Sequence, residues 1–115
     1  MADVVYMISD MLFSSKLREA AKASGVSVQA TRDAAAWAAA ARDAKLAIVD
    51  LRTPTALAAL DALAAAPATA PLRTVGFIDH ERTDVMDAAR ARGCKRVLAK
   101  GQFAKELPAL MRGSP

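Results

Sequence analysis

The chain has 115 residues, 54% of them hydrophobic, a single cysteine and a formal net charge of +4. That suits one soluble domain over residues 1–115 with a core of its own. It excludes a disulfide-stapled scaffold, because Cys94 has no partner in the chain, and the lone thiol fits a reducing, cytoplasmic setting. No signal segment or membrane span is expected. The apolar run Val4 to Ile8 is far short of the roughly 20 residues a bilayer needs, and Arg32, Asp33, Arg42, Asp43 and Lys45 interrupt the alanine-rich middle.

Five short apolar runs follow, each leading into a segment of helical period. Asp3 to Ser9 is β-branched enough for a strand, and Ser14 to Ser24 places Leu17, Ala20, Ala21 and Ser24 on one helical face, closed by Gly25. Val26 to Ala30 alternates as an edge strand does. Thr31 or Asp33 can cap a helix over Ala34 to Arg42 that carries the only tryptophan, Trp37. Lys45 to Leu51 is apolar nearly throughout until Asp50, which predicts a central strand covered on both faces. Thr53-Pro54 opens a helix to about Ala66, with Leu57, Leu60 and Leu63 at helical spacing. After a Pro- and Ala-rich loop come a strand over Arg73 to Asp79 and a helix over Thr83 to Arg92, stopped by Gly93. A strand over Lys95 to Ala99 and a helix over Phe103 to Arg112 complete the chain. Pro108 is tolerable there only in a first turn.

Strand and helix thus alternate five times, which predicts a three-layer α/β domain: a parallel five-stranded sheet with helices on both faces. The right-handed crossover rule favours the flavodoxin-like strand order 2-1-3-4-5. Function in such sheets gathers at the carboxyl ends of the strands, beside the switch point between strands one and three. Ser9 and Asp10 stand there after strand one, Asp50, Leu51 and Arg52 after strand three, Ile78, Asp79 and His80 after strand four, and Lys100 and Gly101 after strand five. Any one of these acids could merely cap a loop. Together, convergent carboxylates repel one another unless a cation sits between them, and Mg²⁺, a hard ion with oxygen ligands, suits such a cluster.

IVDLRTP (Ile48 to Pro54) and LAKG (Leu98 to Gly101) are the segments by which the whole chain resembles the receiver domains of bacterial response regulators. ARG, Ala91 to Gly93, falls where that family often ends its fourth helix with a small residue and a glycine. The resemblance implies a phosphoacceptor at Asp50, Mg²⁺ held by Asp10, Asp50 and the backbone carbonyl of Arg52, and Lys100 pairing with Asp50 and then with a phosphoryl oxygen. It also implies a partner surface on helix four, strand five and helix five, which here carries Arg90, Arg92, Lys95, Arg96 and Lys105. The expected partner is a histidine kinase or a downstream signalling protein, and a homodimer stays open.

The departures matter as much. Ser9 replaces the first acid of the family's pair, Ile78 stands where a Thr or Ser hydroxyl would contact the phosphoryl group, and Asp79 replaces a small residue. Val97 takes the place of a switch aromatic, and Gly101 that of a proline. Together they predict a pseudo-receiver that keeps the fold and acts through protein–protein interaction. The alternative is a working atypical receiver phosphorylated at Asp50 with Mg²⁺.

Other classes find less in the residues. No glycine-rich phosphate loop follows strand one, where ISDMLFSS stands. Phe13 alone is thin for a flavin site. His80 beside Asp79 is a poor acid–base pair, because neighbours in sequence seldom face one another, so no catalytic residues are assigned. Cys94 reads as a packed small residue. The basic residues are spread along the chain, densest from Arg90 to Arg96. Without a helix-turn-helix, zinc or aromatic stacking pattern, nucleic acid is not an expected partner.

Overall fold

Parallel strands buried on both faces must be apolar at successive positions, and the central runs Val4–Met7 and 46–49 are. The computed structural model describes residues 2–68 and 70–113. Its elements run β1 (Val4–Met7), α1 (Met11–Ser24), β2 (Val28–Ala30), α2 (Ala34–Ala41), β3 (Leu46–Asp50), α3 (Ala56–Ala65), β4 (Arg73–Ile78), α4 (Thr83–Ala91), β5 (Arg96–Ala99) and α5 (Lys100–Met111). The sheet is parallel in the order β2-β1-β3-β4-β5, with Val4 level with both Val28 and Leu46, and Leu46 level with Arg73.

The period of two sends alternate side chains to opposite faces. Val4, Tyr6, Leu46, Ile48, Val75 and Phe77 pack under α1 and α5 against Phe13, Leu17, Phe103 and Leu107. Val5, Met7, Ala47 and Val49 pack under α2, α3 and α4 against Trp37, Leu60, Leu63 and Met86. Alanines at Ala38, Ala41, Ala56 and Ala59 let α2 and α3 lie close to the sheet. Trp37 is fully buried, and its indole N–H donates to the Ile48 carbonyl at 2.9 Å. Gly76 is needed where Leu51 lies over β4, since a Cβ there would come within 3.1 Å of the Leu51 side chain.

Three element starts differ from the periodicity in ways that one contact explains. Helix α1 begins at Met11 rather than Ser14 because Asp10 caps it. Strand β2 begins at Val28 rather than Val26. The Val26 amide closes the end of α1 on the Ala21 carbonyl, beside Gly25 at φ 68°, so it is spent on the helix terminus. Helix α5 begins at Lys100 rather than Phe103. Pro108 therefore lies inside α5 and not in its first turn. Pro108 and Ala104, whose carbonyl it leaves without an intrahelical partner, both line an open cleft towards α1, where water can reach.

Candidate functional site

The chain crosses from β1 into α1 on one face and from β3 towards α3 on the other. The carboxyl ends of β1 and β3 thereby form a cleft with an acid on each side. Asp10 follows β1 as the N-cap of α1, with Oδ1 accepting from the amides of Leu12 at 2.8 Å and Phe13 at 3.2 Å. Asp50 ends β3 and is 0% exposed. A buried carboxylate needs a counter-charge and hydrogen bonds to both oxygens.

Arg52 supplies them. Its backbone amide and Nε donate to Asp50 Oδ1 at 3.0 and 3.1 Å, and its Nη2 donates to Asp50 Oδ2 at 3.1 Å. The same Nη2 lies 3.3 Å from Asp10 Oδ2, so one guanidinium bridges the two acids. The Ser9 hydroxyl donates to Asp50 Oδ2 at 3.3 Å, and Thr53 reaches Ser9. The Phe13 ring, 6.0 Å from the guanidinium carbon, backs the cation and joins Phe77 and Phe103 in an aromatic cluster.

Of the residues expected at the site, Asp10 and Asp50 converge. The Arg52 side chain, expected only to leave its carbonyl free for a metal, is the group that joins them. The sequence signal for it was a cation two positions after a strand-end acid. Lys100 requires a correction. It opens α5, and its Nζ lies 3.2 Å from Asp79 Oδ1, with no contact to Asp50. Asp79 lies beyond the end of β4, where its carboxylate captures the ammonium first. Ile78 is buried in the core beneath, offering no hydroxyl. His80 pairs with Glu81 at 3.7 Å in solvent and makes no hydrogen bond to Asp79.

Mg²⁺ does not fit this donor set as arranged. Both oxygens of Asp50 and both of Asp10 already accept hydrogen bonds, and the guanidinium occupies the space between them. Among the described residues, no three His, Cys, Asp or Glu side chains gather closely enough to hold a metal.

The electrostatics follow from these contacts. Hydrogen bonding from the Phe13 amide, then from Arg52 and the Leu12 amide, holds the Asp10 carboxyl below its usual 3.8, against the opposing effect of desolvation. The Asp50 hydrogen bond raises Arg52 above its ordinary value. Burial pushes the Cys94 thiol up, which leaves it inert at neutral pH. A depressed carboxylate contributes stability that is complete above its unfolded pKa and is lost as pH falls through the lower folded value. Thermal melts of wild type and Asp10→Asn should therefore differ most above about pH 5 and converge as pH falls below the usual carboxylate range. A gap that stays constant across that range would show that Asp10 is not held ionised by these contacts.

The expected partner cations are mostly engaged. Arg90 pairs with Asp87 and Arg92 with Asp61, Arg96 lies 2.8 Å from Glu106, and Lys95 donates to the Leu72 carbonyl. Lys105 is exposed midway along α5, and among the described residues it makes no ion pair with this set.

No family model matches the chain, and no curated protein matches it in sequence. Solved structures do resemble it in fold. The receiver domain of NtrX from Brucella abortus aligns with a TM-score of 0.76 at 18% identity, covering 98% of this chain and 100% of that one. The signal receiver domain of the response regulator NarL from Mycobacterium tuberculosis aligns at 0.74 and 22%, covering 95% and 91%. A longer NtrX chain from Brucella abortus aligns at 0.77 and 19%, covering 98% of this chain but 26% of its own length, so the present chain spans about a quarter of that protein. The chain has the flavodoxin-like fold of response-regulator receiver domains, with the strand order 2-1-3-4-5.

Proposed function

We propose that this chain is a pseudo-receiver of the two-component type, which acts by binding a protein partner without phosphoryl transfer. The observation that carries the reading is the Arg52 guanidinium, which binds both oxygens of Asp50 and reaches Asp10. An acyl phosphate on Asp50 would have to break those bonds. It would form beside Asp10 and Asp79 with only Arg52 and Lys100 as counter-charges, and without a hydroxyl at position 78. Phosphoryl transfer depends almost wholly on positioning and on neutralising developing charge, and here the neutralising groups are already spent.

A partner of the histidine kinase or downstream signalling class fits the fold, as does a cytoplasmic setting with its reduced, buried Cys94. Among the described residues no helix is long and apolar enough to cross a membrane.

The second reading is an atypical receiver phosphorylated at Asp50. It is favoured by Asp10, Asp50 and Lys100 standing at the carboxyl ends of β1, β3 and β5, and it requires Arg52 to swing out and admit Mg²⁺. Amide NMR with Mg²⁺ and a beryllofluoride phosphoryl mimic separates the two. The pseudo-receiver predicts unchanged shifts at Asp10, Asp50 and Lys100, as in an Asp50→Asn control. Shifts at those residues that vanish in the control would establish a working receiver and end the first reading.

A further inference from the structure

Parallel topology sorts charges that the sequence scatters. All five strands start at one end of the molecule, and all five helices finish there. Lys45 immediately precedes β3, Arg73 opens β4 and Lys95-Arg96 lead into β5, while Lys22, Arg42, Arg90, Arg92 and Arg112 sit in the last turns or C-caps of α1, α2, α4 and α5. Nine of the chain's 16 Lys and Arg residues thus share the end opposite Asp50, where the acids among the described residues are Asp3 and Asp43.

Cations at helix C-termini have an ordinary structural use, since each terminus carries about −0.5 charge. The surplus exceeds that use. Asp61, Asp87 and Glu106 reach this end from mid-helix, and with them counted the cations still outnumber acids by four, of which five helix termini offset roughly 2.5. Several of these cations hydrogen-bond backbone carbonyls, which are neutral: Arg42 that of Ala66, Arg92 that of Ala88 and Lys95 that of Leu72. The acidic rim at the other end does not cancel the field. Five-residue β3 alone spans about 17 Å, against a screening length of about 8 Å at physiological ionic strength.

The shape of this end narrows the partner. Two cavities adjoin there, sharing Arg73 and Leu110. One, of about 190 Å³, is lined by Asp3, Lys45, Leu46, Met111 and Arg112 among others, with Lys45 Nζ 3.9 Å from the Asp3 carboxylate. The other, of about 150 Å³, has almost wholly apolar walls, with Val75, Lys95 and Arg96 in its lining. Arg96 Nη1 is buried without a hydrogen-bond partner. A cationic trough with an apolar floor suits a ligand that offers carboxylates and apolar side chains together. A nucleic-acid backbone has no apolar groups to place against the apolar walls of the second cavity. A membrane would need exposed apolar anchors here, whereas the large exposed ones among the described residues, Met11 and Leu12, begin α1 at the opposite end.

We infer that this trough, at the end of the sheet remote from Asp50, binds an acidic amphipathic segment of the partner protein. The inference rests on the reading of the chain as a protein-binding module, and its test uses residues that the beryllofluoride experiment does not. The probe is a short synthetic peptide of repeated Glu-Glu-Leu-Leu, titrated into labelled protein by NMR beside polyglutamate and a short DNA duplex. The expected result is amide shifts confined to Lys45, Arg73, Lys95, Arg96 and Leu110 to Arg112, strongest with the Glu-Leu peptide. Raising salt from about 50 to about 150 mM should weaken binding several-fold. A Lys45→Glu/Arg112→Glu double variant should bind about tenfold more weakly, while Arg82→Glu at the opposite rim should bind as wild type does. Because both reversals are at exposed positions, a native amide spectrum is expected, and the wild-type salt series tests the same point without a variant. Tighter binding of the duplex at these residues, shifts elsewhere, or no shift with any probe would each overturn the inference.

Discussion

Replacing Arg52 by alanine is expected to lower stability by about 2–3 kcal/mol and the melting temperature by about 10 °C. Asp50 is fully buried, and without Arg52 it keeps only the Ser9 hydroxyl as a side-chain donor. Stranding a buried charge costs roughly 3–5 kcal/mol where both partners are interior, and the figure is reduced here because the Arg52 side chain is 29% exposed. The variant should also acquire a response that wild type lacks. With the guanidinium gone, Asp10 and Asp50 face one another across an open cleft, and about 10 mM Mg²⁺ should raise the melting temperature of the variant while leaving wild type unmoved. Circular dichroism melts with and without the ion test both statements. A variant as stable as wild type would show that the guanidinium does not hold Asp50. Stabilisation of wild type by Mg²⁺ would show that Arg52 yields the site readily, which favours the phosphorylated reading.

Trp37→Ala is expected to cost about 3–5 kcal/mol, enough to leave a domain of this size marginal at room temperature. The indole is 0% exposed among the alanines of α2, the sheet and α3, and small neighbours cannot close the cavity it would leave. Its N–H also serves the Ile48 carbonyl, a bond that Trp37→Phe would remove at about 1 kcal/mol while keeping most of the volume. Urea denaturation followed by circular dichroism should rank wild type, Trp37→Phe and Trp37→Ala in that order. Equal midpoints would mean that α2 does not anchor on β3 through this ring.

Much of the architecture was legible in the residues. The run from Lys45 to Leu51 marks a buried central strand, and Gly25 and Gly93 mark helix ends at positive φ, as found. The boundaries that moved did so where one side chain or amide was claimed by a neighbouring element. Asp10 lengthens α1 by capping it, and Val26 leaves β2 to close α1. At the site, the approach of Asp10 to Asp50 followed from strand order alone. The partners of Arg52 and Lys100 did not, because both side chains are long and more than one carboxylate lies within reach.

The sequence by itself determined the order of strands and helices, the two-sided burial of the sheet and the set of residues at the carboxyl ends of its strands. Those properties follow from periods of 2 and 3.6 residues that the backbone imposes locally. Only the tertiary structure decided that Arg52 and not Lys100 neutralises Asp50, that Asp79 holds Lys100, and that cations spaced along the chain meet at one end of the sheet. Those outcomes depend on distances across strands and turns, where an ångström of reach decides which charge finds which.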